Sequence, residues 1–297
     1  MSALYVIGNG FDLYHGLTSG YADFHRYVNE TDSELADILE NFFDLQHNDQ
    51  YLWKDFENDL ARFDNDGYFS SYNEIDVLSE SFRPSDCFGL EDEITEESDR
   101  LVSRVREVFT DWVGAIEYPD EPVFRDRKLK LKPAAVFLNF NYTDTLEIGY
   151  GIPKSQILYI HNNANDFSGD LIFGHAQEND GVDDSTFDEN GEPTRTMFTD
   201  AQNAARSPFY AFQKNTAEVL NDHRAFFETF KDVEEIMVLG HSLGEVDWPY
   251  FRAIAAIAPK AQWRISYHGD AAAKKSQAVN MLGKGLKIEM VQFDDLR

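Results

Sequence analysis

The chain has 297 residues, 42% hydrophobic and 14% aromatic, enough to fill one large domain or two small ones. Its formal net charge of −28 opposes contact with nucleic acid and with anionic membranes, since both require clustered Lys and Arg. A single cysteine, Cys87, excludes an internal disulfide, and no run approaches the ~18 apolar residues of a membrane span. The sequence therefore predicts a soluble cytoplasmic protein. Its acidity serves solubility in the plain reading, and a basic partner protein or positively charged trigger in the other.

The first sixteen residues, MSALYVIGNGFDLYHG, organise the rest. Leu4 to Ile7 is a short apolar run that ends at Gly8-Asn9-Gly10, the pattern of a buried strand delivering its carboxyl end to a tight loop. Without Cβ atoms, Gly8 and Gly10 let a ligand approach the backbone, and their N–H groups can point at an anion. The plainer alternative is an ordinary βα turn. The next helix is expected to start near Thr18 or Ser19, with Tyr21, Phe24, Tyr27 and Val28 on one face.

From Thr31 to about Arg127 the chain turns acidic and aromatic with helical spacing. Leu35, Ile38, Leu39, Phe42 and Phe43 form one stripe; Leu52, Phe56, Leu60 and Phe63 form a second; Leu101, Val105, Val108, Phe109 and Trp112 form a third. Glu74 to Glu97, with Pro84, Gly89 and many carboxylates, reads as an exposed connection. Residues 31–127 are thus predicted to be an acidic helical insertion, and residues 1–30 with 128–297 a nucleotide-binding domain.

Strand signals resume at Ala134–Leu138, Ile157–Ile160, Leu171–Phe173, Glu235–Leu239, Trp263–Tyr267 and Ile288–Phe293. Helices fit at Asp144–Tyr150, Tyr210–Phe230, Pro249–Ala258 and Ala271–Leu282, and Gln177 to Arg195 reads as a loop. Strands alternating with helices predict an α/β fold, Rossmann-like, with a mostly parallel sheet.

Polar residues gather at the strand ends: Asn9 and Asp12; Asn139, Asn141 and Asp144; His161, Asn162 and Asn163; His241 and Ser242. In a parallel sheet these ends converge on one edge, where ligands bind. Asn and Asp can bond ribose hydroxyls and a histidine can exchange protons near neutral pH, although Asn and Asp also cap helices at such junctions. Gly240-His241-Ser242-Leu243-Gly244 matches the G-x-S-x-G turn of serine hydrolases, but His268 follows too closely for the strands that normally separate a triad. His15, His161, His175, His241 and His268 show no H-x-x-x-H spacing, so no metal site is predicted.

IGNGFDL, then HGL and YADF, resembles the N-terminal signature of the AbiH family of bacteriophage abortive-infection proteins. FNYTDTLE, YIH, IFGH and LGHSLGEVDWPYF continue that family's pattern in order, from end to end of the chain. More distantly, the motif order is similar to sirtuin-like NAD-binding domains. That resemblance implies a cofactor-binding role for Gly8, Asn9, Gly10, Asp12, Gly16, Phe24, Gly240, His241 and Ser242, and a catalytic role for Asn141 and His161. Asp12 stands in place of a serine, Thr18 of a proline, and Asn162 of the glycine that follows the histidine; no four-cysteine zinc module is present. The resemblance implies one of two functions. One is an NAD-consuming effector that hydrolyses the nicotinamide–ribose bond. The other is a nucleotide-binding sensor without turnover, whose insertion engages a partner protein or a second copy.

Overall fold

The structure, a computed structural model, describes residues 2–43, 56–165, 169–177 and 195–297. Leu52 of the second stripe and residues 178–194 of the expected loop lie outside the described residues. Two compact units are formed: one by Met1–Asp23, Thr110–Ile172 and Asn215–Arg297, the other by Phe24–Phe109 and Phe173–Lys214.

The first unit is built on six parallel strands: β1 (Ala3–Ile7), β2 (Val136–Asn139), β3 (Ile157–Tyr159), β4 (Glu235–Leu239), β5 (Gln262–Ser266) and β6 (Ile288–Val291). Their order is β3-β2-β1-β4-β5-β6, the doubly wound arrangement of Rossmann folds. β1 lies at the centre, with Leu4 opposite Val136 on one side and Ile236 on the other. The continuous apolar sequence of β1 follows from burial on both faces. Leu4 and Val6 face one layer with Tyr250, Phe251, Ile254 and Met281, and Ala3, Tyr5 and Ile7 face the other with Phe11 and Leu146. That alternation is the period-two signature of a strand.

Several elements differ from the sequence-based expectations. A helix begins at once after β1, over Asn9–His15, and stops where Gly16 adopts a left-handed φ of 95°. The following helix spans Tyr21–Thr31. No strand forms over Leu171–Phe173; the Ile172 N–H instead donates to the His161 carbonyl at 3.0 Å. Tyr210–Phe230 is not one helix but a series of short turns, restarted at Thr216–Asp222 by the Asn215 side chain as N-cap.

In the second unit, helix Ser33–Phe42 buries Leu35 and Leu39. A long helix, Leu90–Gly114, which belongs to this unit as far as Phe109, takes in the acidic end of the stretch expected to be exposed. Its first turn carries Glu91, Asp92 and Glu93, which favour a helix N-terminus, while Leu90, Ile94, Leu101, Val105 and Phe109 are buried along one stripe. The core of this unit is aromatic: the Phe109 ring lies 4.3 Å from Phe173 and 5.2 Å from Phe24, and Phe24 lies 5.1 Å from Phe56. The Arg106 guanidinium sits 5.7 Å above both Phe173 and Phe212. Among the described residues no helix is long and apolar enough to cross a membrane.

Candidate functional site

Ligands of doubly wound sheets collect where the strand order reverses, which here is the junction of β1 and β4. The loops after these strands are packed directly on each other. Gly8 N–H donates to the Leu239 carbonyl at 2.9 Å and Gly10 N–H to the Gly240 carbonyl at 2.8 Å. A Cβ on Gly8 would lie 2.6 Å from His241 Cα, and one on Gly10 would lie 2.8 Å from the Gly240 oxygen. Both glycines are required by this loop-to-loop contact, and both N–H groups are engaged in it. Gly240, with φ 72°, is forced to be glycine by the same contact: a Cβ there would meet Phe11 N at 2.1 Å.

Asn9 is likewise held within the fold, since its Nδ2 donates to the Ser19 carbonyl at 2.7 Å and its Oδ1 accepts from Ser19 Oγ at 2.6 Å. Gly16 caps the Asn9–His15 helix. Phe24 belongs to the aromatic core of the second unit. On the same helix as Asn9, His15 aligns with Phe11 one turn earlier. Its Nδ1 donates to the Phe11 carbonyl at 2.7 Å, so its Nε2 accepts from the Tyr150 hydroxyl at 2.6 Å. Burial holds the His15 imidazole down at about 4, and it stays neutral.

The polar residues after β2 turn inward. Asn141 N–H donates to Asn139 Oδ1 at 3.1 Å, and Asn141 Nδ2 donates to the Gly8 carbonyl at 3.2 Å, tying this loop to the one after β1. The Thr143 hydroxyl donates to Asp12 Oδ2, while Asp12 Oδ1 is buried without a hydrogen-bond partner. Burial pushes the Asp12 carboxyl up to about 6, against the opposing pull of the Thr143 hydrogen bond. Asp144 accepts from the Tyr118 hydroxyl and from Asn165 Nδ2 at 3.2 Å.

β3 and β4 bring His161 and His241 to one carboxylate. Asp247 Oδ1 lies 3.7 Å from His161 Nε2 and its Oδ2 lies 3.4 Å from His241 Nε2, with all three side chains buried. Leu243 N–H donates to His241 Nδ1 at 2.9 Å. The proton of the neutral ring therefore sits on Nε2 and faces Asp247. The Phe140 ring packs perpendicular to both imidazoles, 5.3 Å from His161 and 4.5 Å from His241. Leu243 is buried with a left-handed φ of 61°, an unfavourable backbone state for a branched side chain. Its carbonyl accepts from Trp248 Nε1 at 3.0 Å and Gln277 Nε2 at 2.9 Å, which hold the turn in place.

Asn162 also has a left-handed φ, 65°, the region glycine favours and asparagine tolerates. The backbone after His161 thus has the shape that a glycine there would provide. Ser242 is exposed and its Oγ accepts from Gly244 N–H at 3.3 Å, while His268 is an exposed residue after β5; no histidine bonds Ser242 among the described residues. No group of three His, Cys, Asp or Glu side chains is arranged to hold a metal among the described residues.

The sequence pattern pointed to Asn141, His161 and His241, and the structure brings all three to the carboxyl edge of the sheet. It did not point to Tyr118, Thr143 or Asn165. Nor did it single out Asp247, three residues after the G-x-S-x-G turn.

No curated protein and no solved structure matches the chain. A family model described as AbiH, bacteriophage abortive infection, matches residues 4–267, from β1 to just beyond the end of β5, and so carries the ends of β1 to β5. The chain belongs to the AbiH family.

Proposed function

We propose that this chain acts in abortive infection by hydrolysing NAD at the bond between nicotinamide and ribose. Family membership supports the role in phage defence. The observation that carries the chemistry is the placement of His161 at the carboxyl end of β3, beside the Asp247 carboxylate. Water attacks ribose C1′, nicotinamide departs with the electron pair of the glycosidic bond, and the water proton passes to His161. The imidazolium so formed is stabilised by Asp247 at 3.7 Å. Asn141, bonded to the Gly8 carbonyl, keeps the loops after β1 and β2 in register around the reacting sugar. General base catalysis of this kind is worth about 10²–10⁴-fold.

A second reading, a nucleotide sensor without turnover, draws on the burial of His161. The test is nicotinamide release from NAD by the purified protein, with His161→Ala and Asp247→Asn alongside. We expect release by the parent chain, a loss of about 10²-fold or more in His161→Ala, and a fall in kcat at constant KM in Asp247→Asn. Equal release by parent and both variants would overturn the assignment. No release together with a ligand-induced rise in melting temperature would favour the sensor.

A further inference from the structure

Beside β2 lies a cleft of about 100 Å³ whose walls include Tyr118, Tyr142, Thr143, Asp144, Ile148 and Asn165. It opens to solvent, with Ile148 60% exposed on its rim. Sites that hold a whole drug-sized ligand measure roughly 300–1,000 Å³, so this one fits a single ring or sugar.

Three features define what it would take. Asp144 carries the charge: one oxygen accepts from the Tyr118 hydroxyl and the other from Asn165 Nδ2. Both donors are neutral, so they orient the carboxylate without cancelling it, and no Lys, Arg or His pairs with it among the described residues. Other carboxyls add to the field rather than offset it. The negative charge of Asp144 is felt by Glu147 and by Asp12, in each case helping burial to raise the carboxyl pKa. Phosphate is thereby disfavoured and a cation favoured. Aromatic rings supply the third feature. Tyr118 and Tyr142 line the cleft, and aromatic rings attract cations. Burial and Asp144 both raise the Tyr118 hydroxyl pKa, so it remains a donor.

The geometry points to this cleft as the seat of a planar aromatic cation, an N-substituted pyridinium. On the proposed reading of NAD as substrate, that cation is the oxidised nicotinamide ring. Tyr142 is the wall this cleft shares with His161: their rings lie 6.2 Å apart and 29° from parallel. Tyr142 thus both lines the cleft and packs beside the proposed base. The pyrophosphate and adenosine lie outside this acidic cleft.

The probe is the 1-methylnicotinamide cation, titrated by calorimetry or NMR into the full chain, against neutral nicotinamide and tetramethylammonium. We expect the pyridinium to bind at least tenfold more tightly than either. Asp144→Asn should remove its advantage over nicotinamide, and Ile148→Trp, which places bulk on the rim, should weaken it further. Equal affinity for pyridinium and nicotinamide, or affinity unchanged in both variants, overturns the site. Tetramethylammonium binding as tightly as the pyridinium overturns the planar ring. Charge-dependent pyridinium binding without nicotinamide release from NAD leaves the cleft standing and removes the hydrolytic reading. His161-dependent release with the parent KM in Asp144→Asn does the reverse.

Discussion

Gly8 and His241 touch backbone to backbone, closely enough that a Cβ on Gly8 would fall 2.6 Å from His241 Cα. At the switch point the loops after β1 and β4 are thus packed directly on each other. Gly8→Ala is therefore an overpacking change, expected to lower unfolding free energy by about 1–3 kcal/mol in urea titrations. Gly244→Ala is the control. Gly244 has φ −57° and would place its Cβ 3.6 Å from Ser242 Oγ, an ordinary contact, so stability should change by less than about 0.5 kcal/mol. Equal losses at both positions would refute the close-contact account.

Asp12 gives a pH signature. Its carboxyl rises from 3.8 unfolded to about 6 folded, so between those values the native state holds the extra proton. Stability from this group is present at low pH and is lost as pH rises through 6. Relative to Asp12→Asn, the parent chain should lose about 3 kcal/mol between pH 3.5 and 7. Denaturant midpoints of the two proteins that stay parallel across that range would contradict the burial account.

His15 should act in the opposite sense. Its imidazole falls from 6.5 to about 4 on folding, so the unfolded chain takes up the extra proton between these values. Its contribution is complete above 6.5 and lost as pH falls toward 4. Compared with His15→Gln, the parent should lose about 3 kcal/mol on acidification over that window. NMR titration of the His15 ring with a midpoint near 6.5 in the folded protein would contradict this.

In the second unit, Asp32 both caps helix Ser33–Phe42, accepting from Leu35 N–H at 3.1 Å, and receives Arg104 through Nε and Nη2. Arg104 accordingly holds the Asp32 carboxyl below its ordinary value. Asp32→Ala should cost about 1–2 kcal/mol, and Asp32→Ser, which keeps the cap alone, should cost less. Thermal melts that rank the two variants equally would assign the whole effect to the ion pair.

Much of the sheet was legible because parallel strands buried on both faces are unbroken apolar runs, as at Glu235–Leu239, where expectation and structure coincide. Helix Ala271–Leu282 was equally clear, with Asp270 capping Ala272 and Ala273 at its start. The Asn9–His15 helix was hidden because Gly-Asn-Gly has turn chemistry, and only the Gly16 stop marked its end. The start of Leu90–Gly114 was masked by carboxylates, which suit a helix N-terminus as well as an exposed loop. Within the site, histidines at strand ends could be placed from sequence. That Gly8 and Gly10 would be consumed by the loop after β4 could not, since the contact joins residues more than two hundred positions apart. Asp247 joins His161 and His241 only once the sheet has formed.

The central position of β1 has a consequence for the timing of assembly. Leu4 leaves the ribosome roughly 230 residues before its partner Ile236, on the order of 10–50 s earlier at ordinary rates of synthesis. For that interval the five apolar residues of β1 have no β4 to pair with. High sequence separation between paired strands also slows folding itself. Because Gly8, Asn141, His161, His241 and Asp247 belong to four separate stretches, the site cannot form before Asp247 has been made. A chain interrupted before Asp247 would carry a partial sheet and an incomplete edge.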